Sequence, residues 1–149
     1  MRLALAQINP VIGDLKGNAK RINAICSEAS DQGADLLLTP ELSLWGYPPR
    51  DLLLNPLLLK QQNHLLNELA NSLKLKTPSL SVVIGVAEKT PDQNLPALFN
   101  SLVLVDSTGW QIIARKQLLP TYDVFDEKRY FRPGKTPSIL KFKKKTRSW

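Results

Sequence analysis

The sequence predicts an α/β domain whose sheet contains strands running in both directions. Two stretches with helical spacing separate three short apolar runs over the first 87 residues, as strand–helix–strand crossovers require. From residue 81 to residue 114, strand-like segments instead follow one another with no helix between them, around a hairpin signature. A doubly wound parallel sheet needs uniform alternation, and this half of the chain does not supply it. No repeat, low-complexity tract or linker divides the 149 residues, so one domain or part of one is expected.

Leu3 to Ile8 is a short apolar run closed by Asn9-Pro10 and is expected to be a buried strand. Asn18 to Gln32 is the first helix. Ile22, Ile25, Cys26 and Ala29 fall at i, i+3, i+4 and i+7, Lys20, Asn23 and Glu28 occupy the other face, and Gly33 provides the stop. Leu36-Leu37-Leu38 is the next strand and runs into Thr39-Pro40-Glu41. Gly46, Pro48 and Pro49 make residues 44–55 largely loop, with a short helical turn at Arg50 to Leu54. Pro56 suits the first turn of a second helix that reaches about Leu73, with Leu58, Leu59, Gln62, Leu65, Leu66 and Leu69 on its inner face.

Ser81 to Ala87 is a third strand, β-branched through Val82-Val83-Ile84. Asn100 to Val105 and Trp110 to Ala114 flank Asp106-Ser107-Thr108-Gly109, a turn in which glycine permits positive φ. Lys116 to Pro137 is expected to be a long polar loop, and Ser138 to Phe142 one more strand.

Composition limits function without naming it. Hydrophobic content of 43% and charged content of 22% are ordinary for a globular chain. The single cysteine excludes an internal disulfide framework and suits a reducing compartment. The opening apolar run is too short for a secretory signal and no stretch approaches the ~20 apolar residues that span a bilayer, so the cytoplasm is the expected location. Of the net charge of +7, five units come from Lys141, Lys143, Lys144, Lys145 and Arg147, leaving +2 for residues 1–140. That is a solvated basic end, not a nucleic-acid-binding stripe.

Glu41 and Lys116 each close an apolar strand-like run. Alone, either is where a chain ordinarily meets water. Their surroundings argue for more. Trp45, Tyr47 and Pro48-Pro49 follow Glu41 as a stiff aromatic loop able to wall a pocket, and Tyr122, Phe125, Glu127, Tyr130 and Phe131 follow Lys116 in a segment too long for a simple connection.

The segments Pro40-Glu41-Leu42-Ser43 through Gly46-Tyr47-Pro48-Pro49-Arg50-Asp51-Leu52-Leu53, and Lys116-Gln117-Leu118-Leu119-Pro120-Thr121-Tyr122 through Phe131, resemble the nitrilase, or carbon–nitrogen hydrolase, superfamily. Their wording is similar to one branch, the N-terminal glutaminase domain of bacterial glutamine-dependent NAD⁺ synthetases, and the likeness runs through nearly all of residues 1–140. It implies a four-layer αββα sandwich and a Glu–Lys–Cys triad that hydrolyses glutamine. The ammonia would serve ATP-dependent amidation of deamido-NAD⁺ in a second domain. By that resemblance Glu41 is the general base and Lys116 stabilises the oxyanion. Glu127 would orient Lys116 and the leaving amine, and Tyr122 would lie near the glutamine. Tyr47 and Phe125 would wall the pocket, with core packing as the alternative. A carboxylate acting as base on a thiol of pKa ~8.5 needs desolvation to raise its own pKa. Family members are homo-oligomers.

The chain departs from the family pattern where the nucleophile belongs. No Cys elbow follows residues 138–142, and Cys26, on the apolar face of the first helix, is expected to be a buried hydrophobe. No Gly-rich phosphate loop is present, so ATP and Mg, used by the family's synthetase domain, have no expected site here and no cofactor is expected. No metal-ligand cluster surrounds His64, which is expected to be an exposed helix residue. These readings together predict a truncated or frameshifted product without the nucleophile, inactive alone. Half of a sandwich would also leave the apolar faces of Leu36–Leu38, Val82–Val86 and Leu102–Val105 exposed.

Overall fold

The first helix, α1 (Leu15–Asp31), begins three residues before the apolar spacing predicts, because Asp14 caps it: its Oδ1 accepts from Gly17 N at 2.9 Å. It ends as predicted at Gly33, whose φ is 77°. Gly33 N–H donates to Ser30 O at 2.8 Å and Ala34 N–H to Ala29 O at 2.9 Å, satisfying two otherwise orphaned carbonyls. The second helix, α2 (Pro56–Lys76), is capped by Asn55, which accepts from Leu57 N at 2.9 Å, and continues one turn past Leu73 with Lys74 and Lys76 near its negative end. A 3-10 turn at Arg50–Leu54 precedes it.

The computed structural model describes residues 1–92 and 94–142. Its strands are β1 (Leu3–Leu5), β2 (Leu36–Leu38), β3 (Ser81–Lys89), β4 (Leu98–Asp106) and β5 (Gly109–Arg115), followed by a short helix, α3 (Glu127–Tyr130). They form one sheet in sequence order. β1, β2 and β3 are parallel, joined by the helical crossovers, whereas β3, β4 and β5 are antiparallel. The mixed sheet expected from the sequence is present.

Register divides the sheet into two faces. Leu37, Val82, Ile84, Val86, Val103 and Val105 point to one side and are buried with Ile22, Cys26, Leu66, Leu69 and Leu73 of the helices. At about 25 cal/mol per Å² of apolar area removed from water, this helix-covered face is the chief stabilising layer. The opposite face carries Leu3, Leu5, Leu36, Val83, Gly85, Leu102 and Leu104.

Four expectations require correction. The run from Leu3 to Ile8 is not a buried strand: only Leu3–Leu5 is strand, and Leu3 and Leu5 are exposed. Ser138–Phe142 is not a strand: it joins no ladder, Ile139 is 93% exposed, and Phe142 packs instead on Leu36, Val83 and Leu104. Residues 116–137 are not all loop, since α3 forms there and Phe131 bridges to Leu98. The expected bare strand faces are mostly covered: α1 and α2 bury one side, and Leu36, Val83 and Leu104 are buried on the other, leaving Leu3, Leu5 and Leu102 exposed. Of the five basic residues at the C-terminus, Lys143, Lys144, Lys145 and Arg147 lie outside the described residues.

Candidate active site

Glu41 is held by a turn laid directly on the sheet. Thr39 N–H still donates to Val83 O at 3.1 Å, so the chain stays on β3 as it leaves β2. It then turns through Leu42, which has φ 47°, with Trp45 N–H donating to Leu42 O at 2.8 Å. Beneath the turn lies Gly85: a Cβ there would stand 2.2 Å from Leu42 N and 3.0 Å from the Glu41 carbonyl carbon. Only a residue without a side chain admits so close a backbone.

Two buried amides brace the same loop. Asn18 Nδ2 donates to Val11 O at 2.8 Å and Leu44 O at 3.1 Å, while its Oδ1 accepts from Val11 N. Gln62 Oε1 accepts from Trp45 Nε1 at 2.6 Å and Ala87 N at 3.0 Å, and its Nε2 donates to Ala87 O at 2.8 Å. Trp45 is therefore fully buried and anchors the loop; it is not the pocket wall that its place in the sequence suggested. Tyr47, two residues on, faces the site.

Lys116 is aimed by a β-bulge. In the β4–β5 ladder Val103 pairs with Ile112 but Leu102 pairs with Ala114, so Ile113 is an extra residue. The insertion reverses the alternation of side chains beyond it. Ala114 and Lys116 consequently lie on the face opposite the helices, with Leu102 and Asn100, and Lys116 N–H donates to Asn100 O at 2.8 Å. Its ammonium donates to Glu41 Oε1 at 2.7 Å and to Glu127 Oε1 at 3.0 Å. Asn100 Nδ2 donates to the same Glu41 oxygen at 2.6 Å.

Glu127 opens α3 and is 4% exposed. Besides Lys116 it accepts from Tyr47 Oη at 2.8 Å, again on Oε1, while its buried Oε2 has no partner among the described residues. The Tyr47 ring lies 6.2 Å from Phe125, which meets Tyr122 edge-on at 5.6 Å. The six residues singled out from the sequence thus form one connected cluster, from Glu41 through Lys116, Glu127, Tyr47 and Phe125 to Tyr122. Tyr122 is its outermost member at 69% exposed. Beside the cluster is a recess of about 350 Å³ lined by Tyr47, Pro48, Phe125, Glu127 and Tyr130.

The electrostatics follow from this crowding of acceptors. Burial works to lower the pKa of Lys116, but hydrogen bonds to Glu41 and Glu127 outweigh it and the ammonium is held above the usual lysine range. Desolvation, then the hydrogen bond to Glu127, raises the Tyr47 phenol and keeps it a donor. The Glu41 side chain is 44% exposed, so these residues do not themselves supply the desolvation expected of a general base.

Cys26 takes no part. It is 1% exposed within the helix-covered core, and burial pushes its thiol up to about 12. His64 is exposed on α2 beside Glu68. No group of three or more potential metal ligands occurs among the described residues, and none of their helices is long and apolar enough to cross a membrane.

The family model described as Carbon-nitrogen hydrolase matches residues 2–144. The chain belongs to that family. Among its curated relatives, this carbon-nitrogen hydrolase chain is 46% identical over 132 residues to the glutamine-dependent NAD(+) synthetase of Synechocystis sp., covering 87% of this chain and 23% of that protein. It is 36% identical over 141 residues to the synthetase of Thermotoga maritima, covering 95% and 23%. The chain spans about a quarter of the length of these relatives. A solved glutamine-dependent NAD+ synthetase from Acinetobacter baumannii is similar with a TM-score of 0.82 at 34% identity, over 94% of this chain and 25% of that one. An amidase from Nesterenkonia sp. AN1, whose structure records acrylamide addition at an active site cysteine, is similar with a TM-score of 0.73 at 27% identity, over 95% and 53%. The fold is accordingly the nitrilase-type αββα class, of which the described residues form one sheet and its helices.

Sequence reading missed Asn100, Gly85, Asn18 and Gln62. Asn100 carried a signal, since an amide within an otherwise apolar strand needs a partner. Gln62, an amide on the inner face of the second helix, carried the same signal, whereas Asn18 and Gly85 were silent because what they meet is remote backbone.

Proposed function

We propose that this chain forms part of a glutaminase site that releases ammonia from the glutamine side chain for the amidation of deamido-NAD⁺. The observation that carries the reading is the Glu41–Lys116–Glu127 cluster, with Lys116 Nζ 2.7 Å from one carboxylate and 3.0 Å from the other. Identity of 36–46% to NAD(+) synthetases supports glutamine over other amides, against 27% to the amidase.

The chemistry divides among the residues as follows. An ammonium has three N–H donors, and two are committed to Glu41 and Glu127, leaving one for the oxygen of a tetrahedral intermediate. Glu41 Oε2, free of donors among the described residues, is the oxygen that takes a thiol proton and returns it to the leaving nitrogen. The thiolate attacks the amide carbon, ammonia departs, and water then releases glutamate from the thioester. Glu127 Oε1, which accepts from Lys116, orients that ammonium. Cys26 cannot be that nucleophile, being on the far face of the sheet with its proton firmly held. The polypeptide alone therefore orients an amide without turning it over. In the longer relatives the remaining three quarters of the chain is where the thiol and the covering layer over Glu41 are to be sought.

Calorimetric titration with L-glutamine, alongside an ammonia assay, tests this. Glutamine should bind without ammonia release, and Lys116→Met should weaken binding about tenfold, near 1.4 kcal/mol. Ammonia release by the 149-residue chain, or unchanged binding by Lys116→Met, would overturn the reading. Equal binding of glutamine and propionamide would favour a general amidase site.

A further inference from the structure

We propose that Asn100 is the positioning residue of the Glu41–Lys116 pair, selecting which Glu41 oxygen is committed and which is left to receive a proton. The inference rests on the reading of Glu41 as proton acceptor. Asn100 lies on β4, bonded on both sides by β3 and β5, and is 5% exposed. Among the described residues it is the one that hydrogen-bonds both partners. Its carbonyl accepts the Lys116 backbone N–H at 2.8 Å, and its Nδ2 donates to Glu41 Oε1 at 2.6 Å.

The geometry explains why a lysine alone would not suffice. Glu41 is on a turn, its side chain 44% exposed, and Lys116 is a flexible stem just beyond the end of β5. An ammonium is close to a point charge and follows either carboxylate oxygen with little preference, whereas a planar amide fixed to a strand donates along one direction. With Asn100 and Lys116 both on Oε1, the carboxylate cannot rotate without losing two charge-assisted hydrogen bonds. Oε2 is thereby kept outward. Asn100 does not touch a reacting atom and acts through the Glu41 carboxylate and the Lys116 backbone.

The side-chain amide protons of Asn100 report this contact in the full chain by NMR. Expected in the wild type is a downfield Nδ2–H resonance that moves when Glu41 is titrated with acid and stops moving in Glu41→Gln. In Asn100→Leu and Asn100→Ala, the elevated titration midpoint of Lys116 should fall toward that of Glu41→Gln, and the double variants should fall no further. An Asn100 amide that ignores the acid titration, or Asn100 variants whose Lys116 midpoint matches the wild type while Glu41→Gln lowers it, would overturn the proposal. If Glu41→Gln itself leaves the Lys116 midpoint unchanged, the Glu41–Lys116 pair fails and the glutaminase reading falls separately. The wild-type titration needs no Asn100 variant, so misfolding of one leaves the test intact.

Discussion

Replacing Gly85 by alanine should push the Glu41 turn off the sheet. The added Cβ would sit 2.2 Å from Leu42 N and 3.0 Å from both the Glu41 carbonyl carbon and Leu42 Cα, all of them backbone atoms that cannot swing aside. Restoring ordinary contact needs a displacement of about 1.2 Å. If the turn moves as a unit, the 2.6 Å Asn100–Glu41 and 2.7 Å Lys116–Glu41 contacts both pass about 3.5 Å and cease to be hydrogen bonds. Two effects oppose each other in the free energy. Alanine loses less backbone entropy than glycine in a strand, stabilising by roughly 0.5–1 kcal/mol. Overpacking costs about 1–3 kcal/mol, and the lost charge-assisted bonds add to it. The net expectation, with about 0.5–1.5 kcal/mol for each of the two part-exposed bonds, is destabilisation of roughly 1–5 kcal/mol in urea unfolding, with the Lys116 midpoint lowered at the same time. A Gly85→Ala chain as stable as wild type, with Lys116 unshifted, would refute the placement of the turn on β3.

Other expectations follow from the buried groups. The folded chain keeps the Cys26 proton to about pH 12, whereas an ordinary thiol releases it near 9.0, so between these values the unfolded state binds fewer protons. Stability should therefore be full below pH 9 and fall as pH rises toward 12, with a limiting slope of about 1.4 kcal/mol per pH unit. The raised Lys116 and Tyr47 act in the same direction at the alkaline end. Urea titrations from pH 8 to 11 should show Cys26→Ala with the shallower dependence; parallel curves would count against the burial of the thiol. Gln62→Leu strands three buried partners, Trp45 Nε1–H and the Ala87 N–H and C=O, and should cost about 3 kcal/mol or more with a change in Trp45 fluorescence. A loss below about 0.5 kcal/mol would show that the amide does not brace the loop.

Much of the fold was legible because it rests on local signals. Periodicity located both helices, and Gly33, Pro56 and the Asp106–Gly109 turn marked their limits and the hairpin. The Asp14 cap moved one boundary and was readable in principle. Ser138–Phe142 misled because β-branched and aromatic content only makes a strand where a neighbour offers hydrogen bonds. The expected bare sheet was mostly wrong because both helices cover one side, and on the other Phe142, distant in sequence, packs on Leu36, Val83 and Leu104.

The sequence by itself determined the mixed α/β sheet and singled out the candidate residues Glu41, Lys116, Glu127, Tyr47, Tyr122 and Phe125. Those follow from residue type, spacing and wording. Only the tertiary structure decided that these residues meet. An unbroken β5 would have turned Lys116 toward the helices, and the extra residue Ile113 sends it to the Glu41 face instead. The missing Cβ of Gly85 lets the turn approach, and Asn100, two strands away from β2, ties the pair together. Such contacts span 59 to 75 residues of chain and depend on register and on sub-ångström clearances. A period-2 pattern cannot foretell a bulge, because one inserted residue inverts every side chain beyond it.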